Sequence, residues 1–243
     1  MKKISFAFVV LSTVLLSVSC VFIHSPKEAF VKLPGNGKKY SVMPFNKIRA
    51  EGVFNIVLLQ GNQESVVVKG ELPKGLTIKN KGETLVINDT SNRHSSGHNS
   101  INTYIYITFK SVNDISIESV GQTKCGDTLN LKNLSFHTEG VGATILWVNA
   151  DTVNAFDEGV GKLTLAGEAS FAIISDSGVG ALDASTFKPD VLHANVSGVG
   201  AARVYAVKEM YLISSGVGGV EYSGPATIME NKNSGVGTVE RAN

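Results

Sequence analysis

Cysteine is nearly absent from this chain: among 243 residues only Cys20 and Cys125 occur. Two thiols build no disulfide framework, and no paired zinc spacing appears. Aromatic residues make up 7% of the chain, against 43% hydrophobic residues and 25 glycines, which excludes a compact aromatic core and favours a long, regular one. Charge of one sign is missing too. A formal net charge of +1 leaves no electrostatic footprint for nucleic acid or an anionic membrane. The one long apolar run, Ile4 to Ser17, is shorter than the roughly 20 residues a membrane helix needs. No nucleophile motif or phosphate loop is present. Helical spacing is absent as well, and a glycine pair in every repeat would penalise a helix.

The first residues read as an address. Lys2 and Lys3 give a positive start, the apolar run follows, and Ser17-Val18-Ser19 supplies small residues before Cys20. The segment 1–19 is therefore expected to be an export signal and 20–39 a tether. Cys20 stands where a bacterial lipoprotein carries its lipidated cysteine. The usual leucine three positions earlier is replaced by Ser17, with Leu16 one place too early, and cleavage by an ordinary signal peptidase after Ser19 is the alternative. If Cys20 carries lipid, Cys125 has no disulfide partner. Its phase in the repeat described next makes it a buried core residue.

Gly-Val-Gly recurs at Gly140-Val141-Gly142, Gly159-Val160-Gly161, Gly178-Val179-Gly180, Gly198-Val199-Gly200, Gly216-Val217-Gly218 and Gly235-Val236-Gly237, after a degenerate Ser119-Val120-Gly121. A spacing of about 20 residues marks a solenoid. Two and four residues after the last glycine stand pairs such as Leu163/Leu165 and Leu182/Ala184. Six and four residues before the motif stand pairs such as Leu134/Phe136, Ala172/Ile174 and Met229/Asn231. This period of two predicts a strand on either side of each motif, with one face inward. The glycines, Gly121 included, fall where the chain turns sharply or where backbones approach closely. The expected fold is all-β: a right-handed parallel β-helix with about 19–20 residues per coil over 119–240.

The first half, 40–118, carries shorter alternating runs. Phe54 to Leu59 leads into Gly61-Asn62, and Val66-Val67-Val68 follows. Leu76-Thr77-Ile78 and Leu85-Val86-Ile87 flank Asn80-Lys81-Gly82 as a hairpin, and Tyr104 to Phe109 is the strongest strand. These strands either start the solenoid or cap it. Phe45-x-x-Ile48, Gly52-x-x-x-Ile56-x-Leu58-x-Gln60-Gly61, the run Val66 to Val68 and the Gly-x-Gly repeats together resemble the head GIN domain of auto-transporter adhesins, exported proteins of Bacteroides-type bacteria. The resemblance spans some 200 residues, though that family more often has serine or another small polar residue between the glycines. It implies a β-helix-like fold over 40–240 and a surface or adhesive role.

Candidate chemistry is sparse. His94 and His98 lie in a polar stretch that reads as a hairpin tip. Asp157 and Asp176 hold the same place in successive repeats and should stack about 4.8 Å apart, where calcium would relieve their repulsion; solvated turn acids are the alternative. Glycoside hydrolysis needs two carboxylates on opposite sides of one bond, whereas these acids share one edge. Trp147 lies out of phase with inward Leu146. The motif valines, Val120 to Val236, form either an internal corner, the ordinary expectation, or an exposed apolar stripe suited to contact. The sequence thus points to an exported, non-catalytic binding or scaffolding module of the cell envelope, adhesin-like, with no cofactor. Its partner would be a protein or glycan ligand that the sequence leaves unnamed, and its membrane contact only a lipid anchor at Cys20. A carbohydrate-active β-helix enzyme and a purely structural envelope protein are the alternatives.

Overall fold

A computed structural model describes residues 35–91 and 101–242. The chain there is all strand and turn, with no helix among the described residues, and folds as a β-solenoid of about seven turns. Lys38 and Lys39, placed in the tether by composition, already belong to β1 (Lys38–Tyr40). Cys20, His94 and His98 lie outside the described residues.

The repeat half is a parallel stack. It runs through β8 (Asp114–Cys125), β9 (Leu129–Asn130), β10 (Asn133–Thr138), β11 (Val141–Asp157), β12 (Val160–Asp176), β13 (Val179–Val196), β14 (Val199–Tyr205), β15 (Glu209–Ser214), β16 (Val220–Ser223), β17 (Thr227–Asn233) and β18 (Val239–Arg241). Each motif valine pairs with the next, from Val120↔Val141 and Val141↔Val160 through Val160↔Val179 and Val179↔Val199 to Val217↔Val236. The repeat spacing in the sequence is therefore the hydrogen-bond register of the stack.

The inward phase follows the alternation. Leu134, Phe136, Val153, Ala155, Leu163, Leu165, Ala172 and Ile174 are at most 1% exposed and form one continuous core with the first half. The last coil departs from the pattern at Met229. A bulge pairs Met210 with Ile228 and Tyr211 with Glu230, so Met229 is skipped and is 54% exposed while Ile228 takes the inward place.

The first half both enters the solenoid and caps it. β2 (Lys47–Val53) and β3 (Asn55–Gln60) form a rung lying parallel to β8. On their other side they pair, again parallel, with β6 (Thr84–Asp89) and β7 (Thr103–Phe109). The β2–β3 rung is thus inserted between two later rungs. Gln60 ties it down on both sides: its amide nitrogen donates to the carbonyls of Lys110 and Asn130 at 3.0 and 2.8 Å, and its oxygen accepts the Asn130 N–H at 2.7 Å. The end is closed by antiparallel strands. β4 (Ser65–Gly70) covers β7 and is itself covered by β1, while β5 (Leu76–Lys81) covers β6 across the turn at Gly82. Reversing strand direction there blocks further parallel stacking on an otherwise open sheet edge.

Candidate functional site

The motif edge is where sequence and geometry combine into a surface. The inward phase of the strand before each Gly-Val-Gly reaches the first glycine and turns the valine out, and the second glycine, at positive φ, is exposed beside it at Gly142, Gly161, Gly180 and Gly200. No side chain fits at the glycines. A Cβ on Gly161, whose φ is +143°, would stand 1.8 Å from the carbonyl oxygen of Gly142 in the preceding coil, and one on Gly159 would stand 2.7 Å from that of Gly140. The other motif glycines, Gly121, Gly140, Gly142, Gly178, Gly180, Gly198, Gly200, Gly216, Gly218, Gly235 and Gly237, meet the coil before them in the same way.

The expectation that the valines fill an internal corner is therefore corrected. Val120, Val141, Val160, Val179, Val199, Val217 and Val236 are 42–72% exposed, on a solvent-facing edge whose flanking glycines abut the backbone of the coil before them. Val53 pairs with Val120 and extends the stripe to an eighth rung. Its signal was present in the sequence: Glu51-Gly52-Val53 matches Glu139-Gly140-Val141 and Glu158-Gly159-Val160.

The residue before each motif also faces out, and this column changes character halfway. Glu51, Glu118, Glu139 and Glu158 stack along the first four rungs, and Ser177, Ser197, Ser215 and Ser234 along the last four. Glutamates and valines of the first four rungs line a shallow groove of about 420 Å³. Among the described residues no lysine or arginine forms an ion pair with these four glutamates; Glu139 has His137 Nε2 beside its carboxylate at 3.9 Å. His137, Glu139 and Glu158 each bring one ligand atom within 4.8 Å of the others and could hold a divalent cation. The sequence reading passed over this trio because its members sit on two coils.

Asp157 and Asp176 do stack, as Cα partners on β11 and β12, but they face the inner corner. Asp157 Oδ1 accepts the N–H of Gly159 at 3.0 Å, and Asp176 Oδ1 that of Gly178 at 3.1 Å. Burial pushes both carboxyl pKa values up, opposed by these hydrogen bonds, and the Asp176 charge pushes Asp157 further the same way. The recess that Asp157 lines together with Thr123, Thr138 and Thr144 offers about 20 Å³, room for about one water. The acids thus have a turn-capping occupation, and Asn233 does the same for Gly235 at 3.1 Å.

Cys125 is buried and its thiol is pushed up to about 12, chiefly by desolvation, so it is a core residue rather than a nucleophile. Trp147 is half-buried on the outer face, with its indole nitrogen buried and lacking a hydrogen-bond partner. Phe171, His193 and Tyr211 form an aromatic column that sequence spacing did not flag, with ring centroids 5.3 and 4.2 Å apart. His193 and Tyr211 stack face on face, which covers the surfaces a sugar would use.

The sequence matches, over residues 44–226, the profile of a family described as "putative auto-transporter adhesin, head GIN domain". The chain belongs to this family. Solved structures share the GIN domain fold. A protein described as a putative adhesin from Bacteroides fragilis is 28% identical, with a TM-score of 0.78 over 85% of this chain and 96% of that one. One described as a putative adhesin from Parabacteroides distasonis is 21% identical, with a TM-score of 0.64 over 85% and 96%. One described as a putative lipid binding protein from the same species is 16% identical, with a TM-score of 0.65 over 86% and 96%. The last two speak for the fold alone. No curated protein matches the chain. An adhesin-like role is what the family supports for this GIN domain.

Proposed function

We propose that this GIN domain protein is an exported, non-catalytic contact module of the cell envelope, and that it binds through its Gly-Val-Gly edge. One observation carries the reading: the valine stripe. Stacked apolar side chains, about half exposed along one edge, add nothing to the inward core of the rod they decorate. Solvent exposure of such a stripe marks a surface meant to be covered. The non-catalytic part is supported by Asp157 and Asp176, which lie side by side and serve their own turns. In the same proposal residues 1–19 direct export, residues 20 to about 37 form the tether, and Cys20 carries the lipid that holds the rod at a membrane.

The test is adhesion of cells displaying the full chain to protein-coated and glycan-coated surfaces. Val160→Asp with Val179→Asp should reduce adhesion at least tenfold while circular dichroism keeps the strand signal and melting, lowered by the two stacked charges, stays well above the assay temperature, since both side chains are solvent-facing. Adhesion indifferent to these substitutions would refute the edge as the contact surface. Fatty-acid labelling of wild type and Cys20→Ala, followed by protease shaving of whole cells, tests anchoring and exposure.

A further inference from the structure

The edge is self-complementary. Its eight rungs carry glutamate before the motif in the first four, Glu51, Glu118, Glu139 and Glu158, and serine in the last four, Ser177, Ser197, Ser215 and Ser234. We propose that the partner of this edge is a second copy of the same chain, docked antiparallel about a twofold axis that crosses the rod between the Val160 and Val179 rungs. The inference rests on the proposed function only in taking the Gly-Val-Gly edge as the contact surface.

The geometry follows from the twofold. Two stripes facing each other with their rods reversed keep the glutamate–serine column over itself, in opposite order. Glu158 then meets the second copy's Ser177, Glu139 its Ser197, Glu118 its Ser215 and Glu51 its Ser234. Each carboxylate gains a hydroxyl donor, that of Ser197 by turning from the Asp176 carbonyl to which it donates at 3.4 Å, and this matters because no lysine or arginine of their own chain pairs with these glutamates among the described residues. The valines meet in the same order, Val160 on the second copy's Val179 and outward to Val53 on its Val236.

In the column on the far side of the stripe the larger side chains meet small ones: Lys162 faces the second copy's Ala181, Gln122 its Gly219 and Ala143 its Ala201, so the two edges can close. The other twofold, along the rod, is worse. It gives Glu118 the amide of Gln122, but it sets Glu139 against Ala143, which offers no side-chain donor, Glu158 against Lys162, which is already engaged by Asp183 at 3.2 Å, and Glu51 against Asn55, whose amide donates to the Ile101 carbonyl at 2.9 Å.

The size of the patch sets the strength. Seven steps of about 4.8 Å and a width of four residues at about 3.3 Å give roughly 450 Å² per copy. That lies at the low end of specific interfaces, so the pair is weak: monomeric when dilute and dimeric when crowded. The antiparallel arrangement sends the two N-terminal caps to opposite ends.

Sedimentation of the full chain over a concentration series up to about 1 mM reads this directly. Wild type should pass from monomer to dimer. Ser177→Lys with Ser197→Lys places four new cations opposite glutamates and should tighten the dimer at least about fivefold at low salt. Ser177→Glu with Ser197→Glu should abolish it. All four substitutions sit on exposed serines, and melting serves as the folding control. A monomer at every concentration, or a lysine variant no tighter than wild type, would overturn the proposal. A wild type that stays monomeric while its adhesion remains edge-dependent refutes the second copy alone. Adhesion indifferent to Val160→Asp with Val179→Asp refutes the contact edge itself.

Discussion

At the inner corner of the motif edge the same backbone task is given to different side chains: Asp157, Asp176 and Asn233 each accept the N–H of the first glycine of their turn. The two aspartates do so at an electrostatic cost, because burial raises their pKa values and Asp176 adds to that at Asp157. A carboxyl whose folded pKa lies above its ordinary value of 3.8 destabilises the fold when ionised. The cost is complete above the raised folded pKa and vanishes as pH falls toward and below the ordinary value. Asparagine keeps the acceptor and removes the charge, as Asn233 demonstrates within the same chain. Asp157→Asn should therefore melt higher than wild type at pH 7, with the gap closing as pH is lowered through the acid range; calorimetric scans between pH 3.5 and pH 7 check it. A variant that melts lower at pH 7 would show that the charge strengthens the cap more than burial penalises it. At this scale the sequence was informative wherever alternation spoke, as at Cys125 and Leu165. It misled at the valines, because no pattern in one coil reveals how closely the backbone of the coil before it approaches the flanking glycines. Only the stacked geometry, 1.8 Å from a Gly161 Cβ to the Gly142 carbonyl, decides that.

Among elements, β11, β12 and β13 differ from the rest. They are 17, 17 and 18 residues long, run unbroken from one motif to the next, and each is paired on both sides. β17 and β18 close the stack with few buried side chains, a bulge at Met229 and one sheet partner each. Local opening should follow this gradient. Hydrogen exchange is expected to be slowest in β11 to β13 and at least about a hundredfold faster in β17 and β18; uniform protection along the stack would count against it. The strands of the repeat were legible because neighbours in space are also neighbours at a fixed interval in sequence. The hairpin of β5 and β6 was legible from Asn80-Lys81-Gly82. The bulge was not: Met229 is as apolar as Ile228, and composition does not tell which of the two is skipped.

For the whole molecule the governing fact is that the stack is not wound in chain order. The β2–β3 rung pairs with β8 on one side and with β6 and β7 on the other, so residues 47–60 are internal while residues 227–241 are terminal. No local signal announces a parallel partner 67 residues away, as in Ile48↔Ile115, which is why the first half was readable as strands but not as a place in the rod. Stability in such a stack is a sum of rung and neighbour terms, so the cost of a deletion depends on position and not on length. Removing residues 227–242 takes away one terminal coil beyond the family match, which ends at residue 226. It should lower the melting temperature by several degrees and leave a cooperative β-fold. Removing residues 35–61 takes away Ile48, Phe54, Ile56 and Leu58, all fully buried, and separates the cap from the repeats. That variant should lose its cooperative thermal transition altogether. Far-UV circular dichroism with thermal melting of both variants tells them apart, and equal losses would mean that the inserted rung is no more central to the fold than the last one.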